Sequence, residues 1–189
     1  MNDLSWRARR AAARWLFCEL RMQYVAEEIA LGGRQADVVG YSQAKLDILR
    51  PRPAEVRIIE VKTSRSDFMA GVRKGQISND AQRGGLGAYA DFCYVLVTDG
   101  VVPEFDALPA RWGLLTYREF GNGARVVDVA FRPKRLTPER PLTVDGDRLR
   151  EQLVQSTLWR LYHYRSKLTV TRDADTGPDG DWSKREIAT

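Results

Sequence analysis

The most informative segment of this chain is Val56-Arg57-Ile58-Ile59-Glu60-Val61-Lys62. It joins an apolar strand to two charged side chains, and it indicates both the fold and the candidate site. Its β-branched residues predict a buried strand from Arg57 to Val61. Successive side chains of a strand alternate between the two faces of a sheet, so Glu60 and Lys62 lie on the same face. A carboxylate, which can hold a metal ion, therefore lies beside an ammonium, which can meet a phosphate.

A second acid, Asp37, lies upstream in Arg34-Gln35-Ala36-Asp37-Val38-Val39, which is itself predicted to be a strand. An Asp, a spacer and then Glu-x-Lys is the pattern of metal-dependent phosphodiester cleavage. On adjacent strands, Asp37 and Glu60 would form half of a carboxylate cage for Mg²⁺ or Mn²⁺, and the carbonyl of Val61 could add a ligand. Lys62 would orient or help to deprotonate the attacking water, or neutralise charge on the phosphate.

Glu-x-Lys by itself is a common pattern, and it usually forms a strand-end salt bridge that contributes little at a surface. Three features of the surrounding sequence favour a metal site instead. They are the buried strand before the pair, the strand-borne Asp37 upstream, and a leading helix that can donate another acid.

The remaining apolar periodicity predicts an α/β fold in which helices flank a small mixed sheet. Strands are predicted over residues 25–31, 36–41, 57–61, 92–97, 113–117 and 126–131. Helices are predicted over residues 5–24, 66–78 and 149–164, with a flexible loop over 82–87. Ser66 is the expected N-cap of the second helix. On the first helix, Arg7, Arg10 and Arg14 form a basic row, typical of a solvated face but also able to touch phosphates.

Composition indicates one folded domain, predicted over residues 1–168, because 43% of the 189 residues are hydrophobic. Residues 169–189 are rich in Asp, Gly, Pro and Thr and are expected to form a disordered tail. The net charge of +5 suits an anionic partner. The two cysteines lack metal-ligand spacing, which favours a reducing cytoplasm. No run of roughly 18 apolar residues occurs, so no membrane association is expected.

The order of these motifs resembles the PD-(D/E)xK nuclease superfamily and, within it, the MmcB-related DNA repair protein family. The resemblance extends from about Glu19 to Tyr164, and it is strongest in Ile59-Glu60-Val61-Lys62-Thr63-Ser64-Arg65-Ser66-Asp67-Phe68. The other segments that carry it are residues 34–38, 89–96, 108–109 and 113–115.

The resemblance implies a restriction-endonuclease-like α-β-β-β-α-β core with Asp37, Glu60 and Lys62 as catalytic residues. It implies a nuclease that uses Mg²⁺ or Mn²⁺ to cleave DNA in repair, recombination or phage-type DNA metabolism, and a homodimer is possible. Two alternatives stay open. One is a nuclease that acts on RNA, and the other is a non-cleaving nucleic-acid-binding adaptor of the same fold.

Members of the superfamily usually add an acid from the first helix or from the strand that follows it. Glu19, Glu27 and Glu28 compete for this role, and Glu28 is preferred because it directly precedes Ile29-Ala30-Leu31 and the Arg-x-Ala-Asp block. Asp47 is a rival to Asp37, but it lacks that context.

The chain departs from the family pattern after Asp67, which is expected to cap or salt-bridge the second helix. Relatives tend to have an acid and then a Lys-Trp pair in this region, whereas this chain has Gly71 and Lys74-Gly75. Lys74, Gln82 and Arg83 are candidates for phosphate contacts.

Overall fold

The computed structural model describes residues 3–31, 33–44, 53–101, 105–121, 125–138 and 149–155. The strands are β1 (Tyr24–Leu31), β2 (Arg34–Ser42), β3 (Glu55–Lys62), β4 (Phe92–Thr98), β5 (Gly113–Glu119) and β6 (Arg125–Phe131). The helices are α1 (Asp3–Cys18) and α2 (Arg65–Arg73), with short 3₁₀ turns at Leu86–Ala88 and Phe105–Ala107. Residues 149–155 are also helical.

The six strands form one sheet in the order β1-β2-β3-β4-β5-β6. Neighbours pair antiparallel from β1 to β3 and from β5 to β6, whereas β3, β4 and β5 are parallel. A parallel pair needs a crossover, and α2 lies in the connection from β3 to β4. The prediction of a mixed α/β sheet flanked by helices is therefore confirmed.

Each face of the sheet is covered by a different helix. Leu16 of α1 packs with Ile59 and Val61 of β3 on one face. Phe68 of α2 and Leu153 of the helical residues 149–155 belong to the cluster on the opposite face, together with Ile58. Because side chains alternate along β3, Glu60 and Lys62 lie on the same face as Ile58, which is the α2 face.

The first helix is shorter than predicted, because α1 ends at Cys18 and Tyr24 already belongs to β1. Arg21 adopts a left-handed conformation with φ of 53°, which a continuing helix does not allow. The N–H of Met22 donates to the carbonyl of Leu16 at 3.1 Å, and the Met22 side chain is buried. The chain therefore turns back beneath the helix before it enters the sheet.

The second helix also differs from its prediction at both ends. Its N-cap is Ser64 rather than Ser66, since the Ser64 hydroxyl accepts a hydrogen bond from the Asp67 N–H at 3.1 Å. The helix ends at Arg73 rather than near residue 78, because Gly75 takes up a φ of 74° that turns the chain.

The segment predicted as a flexible loop, residues 82–87, is exposed only at Gln82 and Arg83. Residues 85–90 are buried, and Leu86–Ala88 form a 3₁₀ turn. A Cβ atom added to Gly85 would lie 2.4 Å from the Ser78 carbonyl oxygen, so glycine provides close packing here rather than freedom of movement.

Several predictions fall outside the described residues. They concern the last helix beyond residue 155, the tail at 169–189 and Asp47. Within the ranges that the structure describes, no helix has the length and apolar character needed to cross a membrane.

Candidate active site

The site forms where β2 and β3 stop pairing. Their antiparallel register runs to Val38 and Ile59, and its continuation would bring Val61 opposite Ala36. The N–H of Val61 instead donates to the Asp37 carboxylate, with a distance of 2.8 Å between Val61 N and Asp37 Oδ2. The Asp37 carboxylate thus takes the place of a main-chain carbonyl as the acceptor of the Val61 N–H. This hydrogen bond holds Asp37 in the fork between the two strands.

Glu60 is fully buried, and both of its carboxylate oxygens have partners. Oε1 accepts a hydrogen bond from the Asp37 N–H at 3.2 Å. Oε2 accepts from the Gln76 side-chain amide at 2.9 Å and lies 3.4 Å from Lys62 Nζ. Asp37 and Glu60 are therefore interlocked, because each carboxylate accepts a main-chain N–H from the strand that carries the other.

Burial makes the charged forms of both acids unfavourable. The pKa of Glu60 rises to about 8, first because the group is desolvated and second because the Asp37 charge is close. Desolvation also raises the pKa of Asp37, against the opposing effects of the Val61 N–H, Lys62 and Arg9. Two adjacent carboxylates near one lysine form a donor set that suits a hard divalent cation, which would compensate their charge.

Lys62 completes the group on the same face. Its side chain is buried, and Nζ lies 3.4 Å from Glu60 and 4.0 Å from Asp67 Oδ1. A Cβ on Gly71 of α2 would lie 3.3 Å from Lys62 Cε, so the glycine at this position allows the helix to approach the lysine. The salt-bridge contact predicted for Asp67 is present, although Ser64 is the residue that caps the helix.

Gln76 is a site residue that the sequence analysis missed. Its Nε2 donates both to Glu60 and to the Gln35 carbonyl oxygen, the latter at 3.1 Å. Its main chain is held on both sides, because its N–H donates to Gly71 at 3.0 Å and its carbonyl accepts from Leu86 at 3.0 Å. No local pattern signals this role, since a glutamine does not titrate and a loop has no hydrophobic period.

Glu28, the preferred additional acid, lies at the position of β1 that faces Asp37, between the register pairs Glu27–Val38 and Ile29–Ala36. Its φ of 59° places it in the left-handed region, and its carboxylate forms an ion pair with Arg9 of α1. In the described parts of the chain, no group of three or more His, Cys, Asp or Glu side chains could hold a metal ion. A ligand role for Glu28 therefore stays a prediction.

The structure does not bring the other two candidate acids into this group. Glu27 is buried and pairs with Arg10 of α1 at 3.2 Å, and it lies opposite Val38, which packs on the α1 face. Glu19 lines a cleft between α1 and β6. Both acids therefore belong to the α1 side of the sheet, whereas Glu60 belongs to the α2 side.

The candidate phosphate contacts lie in the segment that follows α2 and carries Gln76. Lys74 is exposed, and its carbonyl accepts a hydrogen bond from Arg34 at 2.8 Å. Arg83 has a side chain that is 77% exposed and pairs with Asp80 at 3.4 Å. Gln82 is exposed, and its N–H also donates to Asp80. These side chains are accessible to a ligand, and their role in binding stays a prediction.

No protein-family model matches the sequence, and no curated protein is significantly similar to it. Among solved structures, the fold is similar to that of a protein of unknown function from Silicibacter pomeroyi. The TM-score is 0.50 at 22% sequence identity, over 95% of this chain and 97% of the other. This similarity shows a shared fold alone.

Proposed function

We propose that this protein is a metal-dependent nuclease with a restriction-endonuclease-like core that cleaves DNA. The observation that carries the proposal is the interlocked pair Asp37 and Glu60 with Lys62 on the same face, at the fork of β2 and β3. The element order α1-β1-β2-β3-α2-β4 supports it, since this is the order expected for such a core. The net charge of +5 suits a polyanionic substrate.

Asp37 and Glu60 would hold Mg²⁺ or Mn²⁺. The carbonyl of Val61 lies on the same strand edge as the N–H that contacts Asp37, so it is available as a third oxygen. When bound, the metal supplies Lewis-acid polarisation of the phosphate and lowers the pKa of a bound water. The protein contributes a pair of oxygens that are fixed by main-chain N–H groups before the cation arrives.

Lys62 would act on the reacting phosphate or on the attacking water. Its ammonium contacts Glu60 Oε2 at 3.4 Å and has Asp67 as a second, more distant acid. Burial of the lysine side chain would strengthen its interaction with charge that develops on the phosphate, because screening by water is weak there.

The test is incubation of the purified protein with supercoiled, linear and branched DNA, and with RNA, in Mg²⁺, Mn²⁺ or EDTA. We expect cleavage of DNA that requires metal and is lost in Asp37→Asn. Binding of DNA without metal-dependent cleavage of any substrate would contradict the proposal and favour a non-cleaving adaptor. Cleavage of RNA alone would keep the chemistry and overturn the choice of substrate.

Removal of the Gln76 amide in Gln76→Ala is expected to weaken metal binding and to slow cleavage by about 10- to 100-fold, as is typical when a residue that orients a metal ligand is lost. The reason is that Glu60 Oε2 loses its 2.9 Å hydrogen bond. Mn²⁺ titration by calorimetry and single-turnover cleavage measure the two effects.

Gln152→Ala is the matched control for this change, because it removes an exposed glutamine from the helical residues 149–155, to which no role in the site is assigned. It should leave Mn²⁺ affinity unchanged. Equal Mn²⁺ affinity in Gln76→Ala and in the unmodified protein would show that Gln76 does not orient Glu60.

A further inference from the structure

A second feature of the molecule is a cleft of about 800 Å³ between α1 and β6. It lies on the α1 face, because Val127 of β6 packs with the cluster that α1 covers. Glu60 and Lys62 therefore lie on the other side of the sheet. The volume is within the range of small-ligand sites in proteins. The lining residues that bear on its chemistry are Arg10, Arg14, Trp15, Glu19, Arg125 and Val127.

Basic side chains outnumber acidic ones in the lining, since three arginines and one glutamate line the cleft. Arg10 and Arg14 are one helical turn apart on α1, so they lie on the same side of the helix. Arg10 is positioned by Glu27 at 3.2 Å, and Arg125 is positioned by Glu119 at 3.1 Å. Within the described part of the chain, Arg14 forms no ion pair, and it is exposed.

Trp15 adds an aromatic surface to this basic lining. The indole is half-buried and packs edge-on against Tyr94, with ring centroids 5.5 Å apart and an interplanar angle of 80°. A tryptophan fixed in this way loses little conformational freedom when a ligand packs against it. Guanidinium groups bind phosphate oxygens, and aromatic side chains stack on bases, so the lining combines the two contacts that a nucleotide needs.

We propose that this cleft binds the phosphate backbone of a nucleic-acid strand away from the reacting phosphate. The inference rests on the proposed function for the identity of its ligand. Arg125 pairs with Glu119 at the carboxyl end of β5, and β5 runs parallel to β3, which ends at Lys62. The wall of the cleft that Arg125 forms and the active site therefore lie at the same end of the sheet.

Lys62 lies level with Thr116 of β5, and Arg125 lies level with Glu119, three residues further along. From β3 to β6 there are three strand spacings, so Lys62 and Arg125 are about 17 Å apart. For a strand that keeps the 3.4 Å axial rise per nucleotide of stacked DNA, about five nucleotide steps cover this distance, and an extended strand needs fewer. A strand held at the active site can therefore reach the cleft by passing around the end of the sheet. Arg14 would contact its phosphates in addition to the paired Arg10 and Arg125.

The test is fluorescence anisotropy with a labelled single-stranded 12-nucleotide DNA in EDTA, from 50 to 200 mM salt. We expect Arg14→Ala to weaken binding about fivefold at 100 mM salt and to reduce the slope of log K against log salt by about one. Arg14→Glu should have a larger effect. Arg150→Ala removes an exposed arginine from the helical residues 149–155 and is the matched control, with near-unchanged binding.

Three results would overturn the proposal. The first is an unchanged DNA affinity and salt slope in the Arg14→Ala variant. The second is a loss of DNA affinity in Arg150→Ala that equals the loss in Arg14→Ala. The third is competition by thymidine monophosphate as strong as that by unlabelled oligonucleotide, which would indicate a mononucleotide site instead of a strand. Binding is measured without metal, so it does not depend on cleavage. A failure to cleave any DNA would overturn the proposed nuclease but would not change the outcome of this binding test.

Discussion

Lys62→Met is expected to lower metal-dependent DNA cleavage by at least about 10²-fold, the usual cost of removing one charged or polar group that stabilises a transition state. Methionine keeps the apolar stem that packs near Gly71 and removes only the ammonium that lies 3.4 Å from Glu60. The cleavage reaction loses the ammonium charge of Lys62, while the carboxylates of Asp37 and Glu60 stay in place. Single-turnover cleavage at saturating Mg²⁺ measures this effect directly.

Two further variants separate a catalytic role of Lys62 from a structural one. Lys134→Met removes an exposed lysine and should leave the cleavage rate unchanged. Lys62→Arg keeps the charge but changes its geometry, so it should recover only part of the activity. Cleavage at the normal rate in Lys62→Met, with the fold intact by circular dichroism, would exclude Lys62 from the reaction.

The second large effect is a loss of stability as the pH rises, caused by the buried acid pair. In the folded protein the pKa of Glu60 rises from its ordinary value of 4.5 to about 8. Between these values the folded state binds more protons than the unfolded state, so the free energy of unfolding falls as pH increases. The full shift corresponds to a decrease on the order of 5 kcal/mol. Urea unfolding in EDTA at several pH values from 5 to 8.5 measures it.

Glu60→Gln should remove most of this pH dependence, because the amide cannot ionise. Its absolute stability will also change, since the amide NH₂ meets either the Asp37 N–H or the donors Gln76 and Lys62. The informative quantity is therefore the slope against pH. Glu151→Gln, an exposed acid in the helical residues 149–155, is the matched control and should keep the original slope.

Divalent metal should reverse the loss at high pH. A cation that binds only the folded state stabilises it by about 2.7 kcal/mol at a concentration 100 times its Kd. We therefore expect Mg²⁺ or Mn²⁺ to raise the free energy of unfolding at pH 8 in the unmodified protein but not in Glu60→Gln. An equal slope against pH in both proteins would show that Glu60 is not the titrating group, and stability unaffected by metal would contradict the metal site.

The amino-acid sequence alone predicts the order of helices and strands and the common face of Glu60 and Lys62. Both follow from local periodicity, since a strand alternates every two residues and a helix repeats every 3.6. Element ends were less accurate. Tyr24 belongs to β1 instead of the first helix, because the left-handed Arg21 ends the helical path earlier. Ser64, not Ser66, begins α2, because its side chain caps the helix.

Contacts between groups that are distant in the sequence depend on how the helices and strands pack. Gln76 contacts Glu60 because two turns and a buried 3₁₀ segment hold it there. The sequence around Gln76 does not predict this contact. The same holds for Arg9, which engages Glu28, and for the cleft that joins Arg14 to Arg125. Such contacts depend on how the elements cross and pack, and the local period of a segment does not contain that information.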